Sequence, residues 1–430
     1  MRRNMKDLII VGAGPAGLMA AKTAAQKGLS VILIERQKDI TDITRTCSAQ
    51  LVLDEGYEGE TLKVTDDKII FTKNQFEVPY TGARMNLVSN NMISPKGHKV
   101  HFAHPNNKPF AVKFDKGELL RSLSKACEKL GVEIRLETRA QKIEDNGNEV
   151  CVTVKCHGQE ERIYGKKLII CEGANASLTE MIGLNEGRQL FGMPLVACYT
   201  FDETKDLDLQ SWNQFYGNNY HPFAEVMVGS SLEGLHAMEV VVMGTKDLKP
   251  EMLLKKVIGE SPLKEKLAGA KVIRKTGCAV KSYASLKRPY KGNILIIGDS
   301  AAHVETLVQG ALMCGYHAAD AIKKELMGQK GFEAYTTWWN KAFEFNRMDS
   351  LEFVKLYGTL SIKGRFADDE IDYLFAMLEG NTLCGNFSQF ETPKTLWREL
   401  LKMKMKIQEE RPEIYEKMRP IEDLAEKGLI

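Results

Sequence analysis

Apolar and polar positions along this chain follow several distinct rhythms. Leu8-Ile-Ile-Val11, Val31-Ile-Leu-Ile34, Leu168-Ile-Ile-Cys171 and Ile294-Leu-Ile-Ile297 are short continuous apolar runs, the pattern of strands buried on both faces of a parallel sheet. The spacing from Asp115 to Gly131 predicts a helix closed by a C-terminal glycine. Val132 to Leu136 and Val150 to Val154 predict strands, with a turn at Asp145-Asn-Gly-Asn between them. Residues 48 to 110 carry no long helical period, only β-like pieces such as Lys68-Ile-Ile-Phe and Lys99-Val-His-Phe. From about 190 to 280 β-type stretches dominate, including Phe223 to Val228 and Met238 to Met243. A long helix starts near Gln309, and beyond about 330 the pattern is almost wholly helical.

The loop between the first two runs carries the clearest chemistry. Gly12-Ala-Gly14-Pro15-Ala16-Gly17 follows a strand and opens a helix, and the next strand ends in Glu35. Gly12 permits the tight turn, Gly14 lets the backbone approach a pyrophosphate, and Gly17 lets the helix pack closely on the sheet. The helix start offers free N–H groups and a positive dipole end to phosphates. Glu35, 18 residues after Gly17, accepts hydrogen bonds from a ribose hydroxyl pair. This order of parts predicts a dinucleotide site. The competing reading, a secretory signal with Arg2 and Arg3 ahead of an apolar stretch ending at Ala21, is disfavoured by three glycines and a proline within that stretch.

Composition narrows the picture. Lys plus Arg (59) nearly balances Asp plus Glu (57), so global charge does not point to nucleic acid. Nine cysteines without a Cys-x-x-Cys pair suit reduced thiols in a cytoplasmic protein. No run of 18 apolar residues predicts a membrane span.

Three segments together, Gly12 to Gly17, Cys171-Glu-Gly-Ala-Asn-Ala-Ser and Gly298-Asp299-Ser-Ala-Ala-His-Val-Glu-Thr-Leu-Val-Gln-Gly310, resemble the FAD-dependent oxidoreductases with the aromatic-hydroxylase fold, closest to the geranylgeranyl reductases. The resemblance covers roughly residues 5 to 330. It implies an α/β fold: a Rossmann-like FAD domain (1–47, 110–187 and 281–330) interleaved with a β-rich substrate domain (48–109 and 188–280), then a helical C-terminal region (331–430). It also implies non-covalent FAD. The glycine loop and Glu35 would hold the AMP half, with Arg36 along the adenosine edge and Ala140 touching adenine through its backbone. Arg45 matches the family arginine ahead of the flavin. Lys116 stands where the family usually has a helix-opening arginine, and keeps the charge without the bidentate fork. Asp299, after Gly298, matches the aspartate bonded to the ribityl chain. The helix start at Gln309-Gly310 would set its dipole beside the flavin N1–C2=O edge, favouring an anionic reduced ring.

Departures qualify what the resemblance implies. The family Asp-Gly pair is Glu172-Gly173, with Thr179 and Glu180 near the place of its downstream arginine, which questions direct NADPH use. The proline after the late motif is Thr306. The reductase aromatic motif is replaced by Glu225-Val-Met227-Val-Gly229-Ser230. Three functions follow from the resemblance: reduction of a carbon–carbon double bond in a hydrophobic, polyprenyl-type substrate; flavin monooxygenation; or electron transfer to a quinone. The expected partners are a lipid or other hydrophobic small molecule and a ferredoxin-like electron donor, with peripheral membrane contact as a further expectation.

Two residues are candidates for proton chemistry. Cys47 would lie near the flavin as a proton donor, or be a partly buried small hydrophobe. His303 could donate a proton, or cap its loop by a backbone hydrogen bond; Glu305 is its partner or a solvated charge. His98, His101 and His104 alternate in direction on a strand and lack a completing acid or cysteine, so no metal site is expected. Tyr216, Tyr220 and His221 form a polar-aromatic loop that lines a pocket or packs as a hinge. Leu396, Leu400, Met403 and Ile407 share a helical face beside Lys402, Lys404 and Lys406, read as a helix packed on its own domain or one resting on an anionic membrane.

Overall fold

The computed structural model describes residues 5–205 and 208–430; Arg2 and Arg3 lie outside them. Lys6–Val11 runs parallel to Val31–Ile34 on one side and to Gln159–Ile170 on the other, and Ile294–Ile296 pairs parallel with Gln159–Ile170. The continuous apolar runs thus lie in one eight-stranded sheet, with Ile9, Leu33, Ile169 and Leu295 fully buried. Gln159–Ile170 changes partner along its length: its first half is antiparallel to Val150–Cys156, its second half parallel to Lys6–Val11. Thr138–Asp145 completes that meander, where the sequence reading has only a turn at Asp145. Arg139, Gln141 and Lys142 on this strand are exposed, so no apolar alternation betrays it.

Pro15–Gln26 and Leu307–Leu326 pack together against this sheet. Their crossing requires glycine at position 315, because a Cβ there would stand 2.3 Å from the Ala16 carbonyl oxygen. Asp115 caps Lys116–Lys129 by accepting the Glu118 N–H at 3.0 Å.

A second eight-stranded sheet runs in the order Lys271–Ala279, Leu195–Asp202, Met238–Gly244, Val226–Ser230, Ser211–Phe215, Ser89–Ile93, Lys99–Ala103 and Thr382–Leu383. Val226, Val228, Val240 and Val242 pack with Leu253 and Val257 of the Pro250–Glu260 helix. Strand alternation therefore turns Thr276, Cys278, Cys198, Glu239 and Met227 to the opposite face. That face meets the first sheet's loops: Lys113, buried on Ala111–Phe114, pairs with Glu239 and donates to the Ser48 carbonyl at 3.2 Å.

The C-terminal region is helical apart from Thr382–Leu383, which joins the second sheet beside Lys99–Ala103; two residues are too few to leave a pattern. Leu396, Leu400 and Ile407 pack with Ile414, Met418 and Ile421. Lys402, Lys404 and Lys406 pair with Glu399, Glu422 and Glu410. Among the described residues, no helix is long and apolar enough to cross a membrane.

Candidate active site

The glycine loop is shaped by contacts that exclude side chains at two positions and leave a third open. Gly12 has φ +112°, and a Cβ there would meet the Cys171 carbonyl oxygen at 2.4 Å; at Gly17 it would meet the Gly12 carbonyl oxygen at 1.9 Å. At Gly14 it would meet nothing within 4 Å. Cys171 lies beneath the loop, its thiol donating to the Val11 and Gly12 carbonyls at 3.2 Å. Pro15 opens the helix, Ala16 is buried, and no side chain caps the helix start, so its N–H groups face outward unspent. Glu35 secures the loop: Ala13 N–H donates to Oε2 at 2.8 Å and Gln37 N–H to Oε1 at 2.9 Å. Both oxygens keep lone pairs for further donors. The Glu35 carbonyl accepts the Thr138 N–H at 2.8 Å, which brings up the strand whose bulge falls at Ala140. Arg36 beside them is exposed.

Charged groups converge at the other end. Arg45 lies against Gly173, where a Cβ would stand 2.6 Å from Nη1, and its Nη2 is 3.5 Å from Asp299 Oδ2. Ser300 Oγ donates to the Gly173 carbonyl at 3.0 Å, locking the turns after Cys171 and Ile297 together. Asp299 Oδ1 accepts both the N–H and the hydroxyl of Thr306, at 2.9 and 3.0 Å. Thr306 does with hydrogen bonds what the missing proline does with its ring. Gly298 has φ +65° and Leu307 +54°; the latter is a strained conformation for a bulky side chain, of a kind concentrated at functional sites.

The Leu307–Leu326 helix then begins without a side-chain cap. Gln309 spends its amide oxygen on Val52 N–H at 2.8 Å, so its side chain fastens the helix to the Gln50–Val52 strand. Gly310 is small for packing reasons: a Cβ would come within 2.9 Å of both Phe343 and Tyr57.

Electrostatics single out Glu305, which the sequence reading treats as a side issue. Its side chain is exposed, with protein packed around it closely enough to act on its charge. Burial, then the Asp299 charge, push its carboxyl up to about 7, against the pull of Arg45 and Lys116. Burial alone would depress the Arg45 guanidinium, but Asp299, Cys278 and Glu305 raise it. Cys278 is within hydrogen-bond reach of Arg45, and burial raises its thiol despite that neighbour.

Cys47 sits between two anchors. Thr46 Oγ1 donates to the Val196 carbonyl at 3.3 Å, and the Ser48 carbonyl is held by Lys113. The thiol is partly buried. His303 is buried, with Nδ1 2.9 Å from the Tyr283 carbonyl and its ring edge-on to Phe191 and Phe353; burial lowers its pKa. The other histidines go separate ways: His98 to Glu379, His101 to Asn91 and His104 to Asp54. Tyr216, Tyr220 and His221 are buried, and burial pushes His221 down to about 4.

A profile of the FAD binding domain family matches residues 5–311. The chain belongs to that family. It is an FAD-dependent oxidoreductase resembling the geranylgeranyl reductases. A digeranylgeranylglycerophospholipid reductase of Methanocaldococcus jannaschii is 25% identical over 395 residues, 88% of this chain and 92% of that protein. One from Methanosarcina acetivorans is 25% identical over 342 residues, 78% of this chain and 77% of that one. A geranylgeranyl bacteriochlorophyll reductase-like structure from Thermoplasma acidophilum shares the fold, with a TM-score of 0.73, 15% identity and coverage of 97% of this chain and 99% of its own. A p-nitrophenol 4-monooxygenase from Pseudomonas putida also shares the fold, with a TM-score of 0.64, 13% identity and coverage of 93% and 97%. The residues present fit FAD. The open space at Gly14 and the uncapped helix suit a pyrophosphate, Glu35 suits a ribose, and the second uncapped helix start stands beside the Arg45–Asp299 pair, to which its Thr306 is bonded.

Proposed function

We propose that this protein reduces carbon–carbon double bonds of a polyprenyl lipid. One observation carries the reading: over most of its length the chain is similar to proteins named digeranylgeranylglycerophospholipid reductases. Bound FAD supplies hydride-level reduction. The glycine loop, Glu35, Arg36 and Ala140 hold its AMP half, and Arg45, Lys116, Asp299 and the Leu307–Gly310 helix start position the ring end. Arg45 and the helix dipole favour negative charge there. Cys47 donates the proton that alkene saturation requires on the substrate side, with His303 as the reserve donor.

The substrate lies against the inner face of the second sheet, where Val196, Met227 and Met243 are partly exposed. An aromatic group on this face comes from Trp212: its ring covers Gly229, where a Cβ would stand 2.5 Å from it.

The electron donor is a ferredoxin-like protein. Glu172 supports this assignment: its carboxylate caps Ser177–Met181, accepting the Leu178 and Thr179 N–H groups at 2.7 and 2.9 Å. A carboxylate committed to a helix cap is not free to serve nicotinamide-dependent reduction. Peripheral membrane contact is not built on Lys402, Lys404 and Lys406, since each has an acidic partner.

Anaerobic photoreduction followed by a screen of oxidants tests the reading. A geranylgeranylated lipid should re-oxidise the flavin and lose double bonds. Re-oxidation by a quinone or by oxygen with an aromatic substrate, and not by the lipid, would overturn it.

A further inference from the structure

Arg188 lies between the Ser177–Met181 helix and the Leu190–Gly192 strand, and the reaction just described makes no use of it. A guanidinium has five N–H donors in a fixed fork, and here all five are spent. Nε donates to the Ala284 carbonyl at 2.7 Å. Nη1 donates to Asn185 Oδ1 at 2.6 Å and to the Ser300 carbonyl at 3.2 Å. Nη2 donates to the Ala301 and Ala302 carbonyls at 3.4 and 3.2 Å. Three consecutive carbonyls of the turn that follows Asp299 thus converge on one side chain, whose Cζ lies over the Tyr283 ring, 5.0 Å from its centroid.

Every one of these acceptors is neutral, and among the described residues Arg188 has no carboxylate partner. Arg45, at the same turn, differs: its charge is set against Asp299 at 3.5 Å. Burial lowers Arg188 to about 10, so it keeps its charge at neutral pH. That charge reaches His303, where it joins burial in lowering the imidazole.

We propose that Arg188 sets the redox poise of the flavin: it is an uncompensated positive charge, fixed on the turn that carries Asp299, that favours the reduced and more negative state of the cofactor. Two electrons from a donor and one proton from solvent leave the cofactor one negative charge richer. Away from bulk water, a positive charge nearby stabilises that state, and one already paired with an acid does so less. The planar fork suits the task, because the guanidinium does not lose its proton near neutrality and its bonds hold the charge in one place. The competing role is a purely structural one, with the fork acting only to shape the turn. The two roles rank the same variants in opposite orders.

The inference rests on the placement of the ring end beside Asp299 proposed above, and not on the identity of the substrate. Its test is the midpoint potential of the yellow holoprotein, measured by anaerobic titration with dithionite at neutral pH. Asn185→Asp leaves Arg188 in place and sets a carboxylate where Asn185 Oδ1 now accepts its Nη1 hydrogen. The potential should fall by about 30 mV, a tenfold loss in the reduced-to-oxidised ratio of a two-electron couple. Arg188→Met should fall at least as far. Arg188→Lys gives up most of the fork but keeps the charge, and should stay closer to the wild type than to Arg188→Met. An unchanged potential in Asn185→Asp would overturn the proposal, as would Arg188→Lys falling as far as Arg188→Met. Asn185→Asp retains the whole guanidinium, so it decides the matter even where an Arg188 variant fails to fold. Asp299→Asn tells two failures apart, because loss of a negative charge beside the ring should raise the potential. A rise there with no change in Asn185→Asp overturns the role of Arg188 alone; no change in either overturns the placement of the ring as well.

Discussion

Cys47 is held from both sides, by Thr46 on the Val196 carbonyl and by Ser48 on Lys113, so its backbone survives loss of its own side chain. Cys47→Ala should retain FAD and fold normally, because a missing thiol leaves only a small cavity. Its turnover should nevertheless fall ~10²-fold or more, the contribution of a positioned general acid, while dithionite reduction is unchanged. Full turnover in Cys47→Ala with loss in His303→Ala would shift the acid to His303; full turnover in both would remove both residues from the mechanism. At this scale the sequence was a partial guide. Gly12, Gly14, Gly17, Glu35 and Asp299 are legible because close approach and charge leave few residue types. Glu305 is not, since its behaviour depends on burial and on partners far along the chain. Gln309 and Gly310 were legible as a helix start, but their contacts with Val52, Tyr57 and Phe343 are tertiary facts.

The glycine loop and its helix work as one element, and its glycines separate folding from binding. Gly17→Ala forces a Cβ to within 1.9 Å of the Gly12 carbonyl, so apoprotein stability should fall, toward the upper end of ~1–3 kcal/mol for overpacking. Gly14→Ala meets nothing within 4 Å among the described residues and has an ordinary backbone, φ −72°. Its apoprotein should melt with the wild type, yet retain much less FAD after purification. Thermal denaturation of both apoproteins and the flavin-to-protein absorbance ratio check the pair; a destabilised Gly14→Ala apoprotein, or one that binds FAD normally, would contradict this account of the loop. Elements buried on both faces, such as Lys6–Val11 and Ile294–Ile296, announce themselves as apolar runs. Thr138–Asp145 and Thr382–Leu383 do not, one being a mostly exposed strand and the other two residues long.

For the whole molecule, two sheets meet through the Arg45–Ser48 loop and the buried Lys113–Glu239 pair. The order of three motifs was enough to anticipate that arrangement, whereas the packing of the C-terminal helices on Trp212 and Phe102 has no local signature. Electron entry belongs to this scale. NADPH should reduce the flavin slowly and a ferredoxin-like donor faster; stopped-flow reduction by NADPH on the order of 10 per second would contradict that. The most direct test of the central claim is anaerobic incubation of the pre-reduced holoprotein with a geranylgeranylated lipid, followed by mass spectrometry of the lipid. The account predicts a gain of two hydrogens for each flavin re-oxidised, with no oxygen incorporated. An unchanged lipid beside a flavin that stays reduced, or a lipid carrying added oxygen when air is admitted, would contradict it.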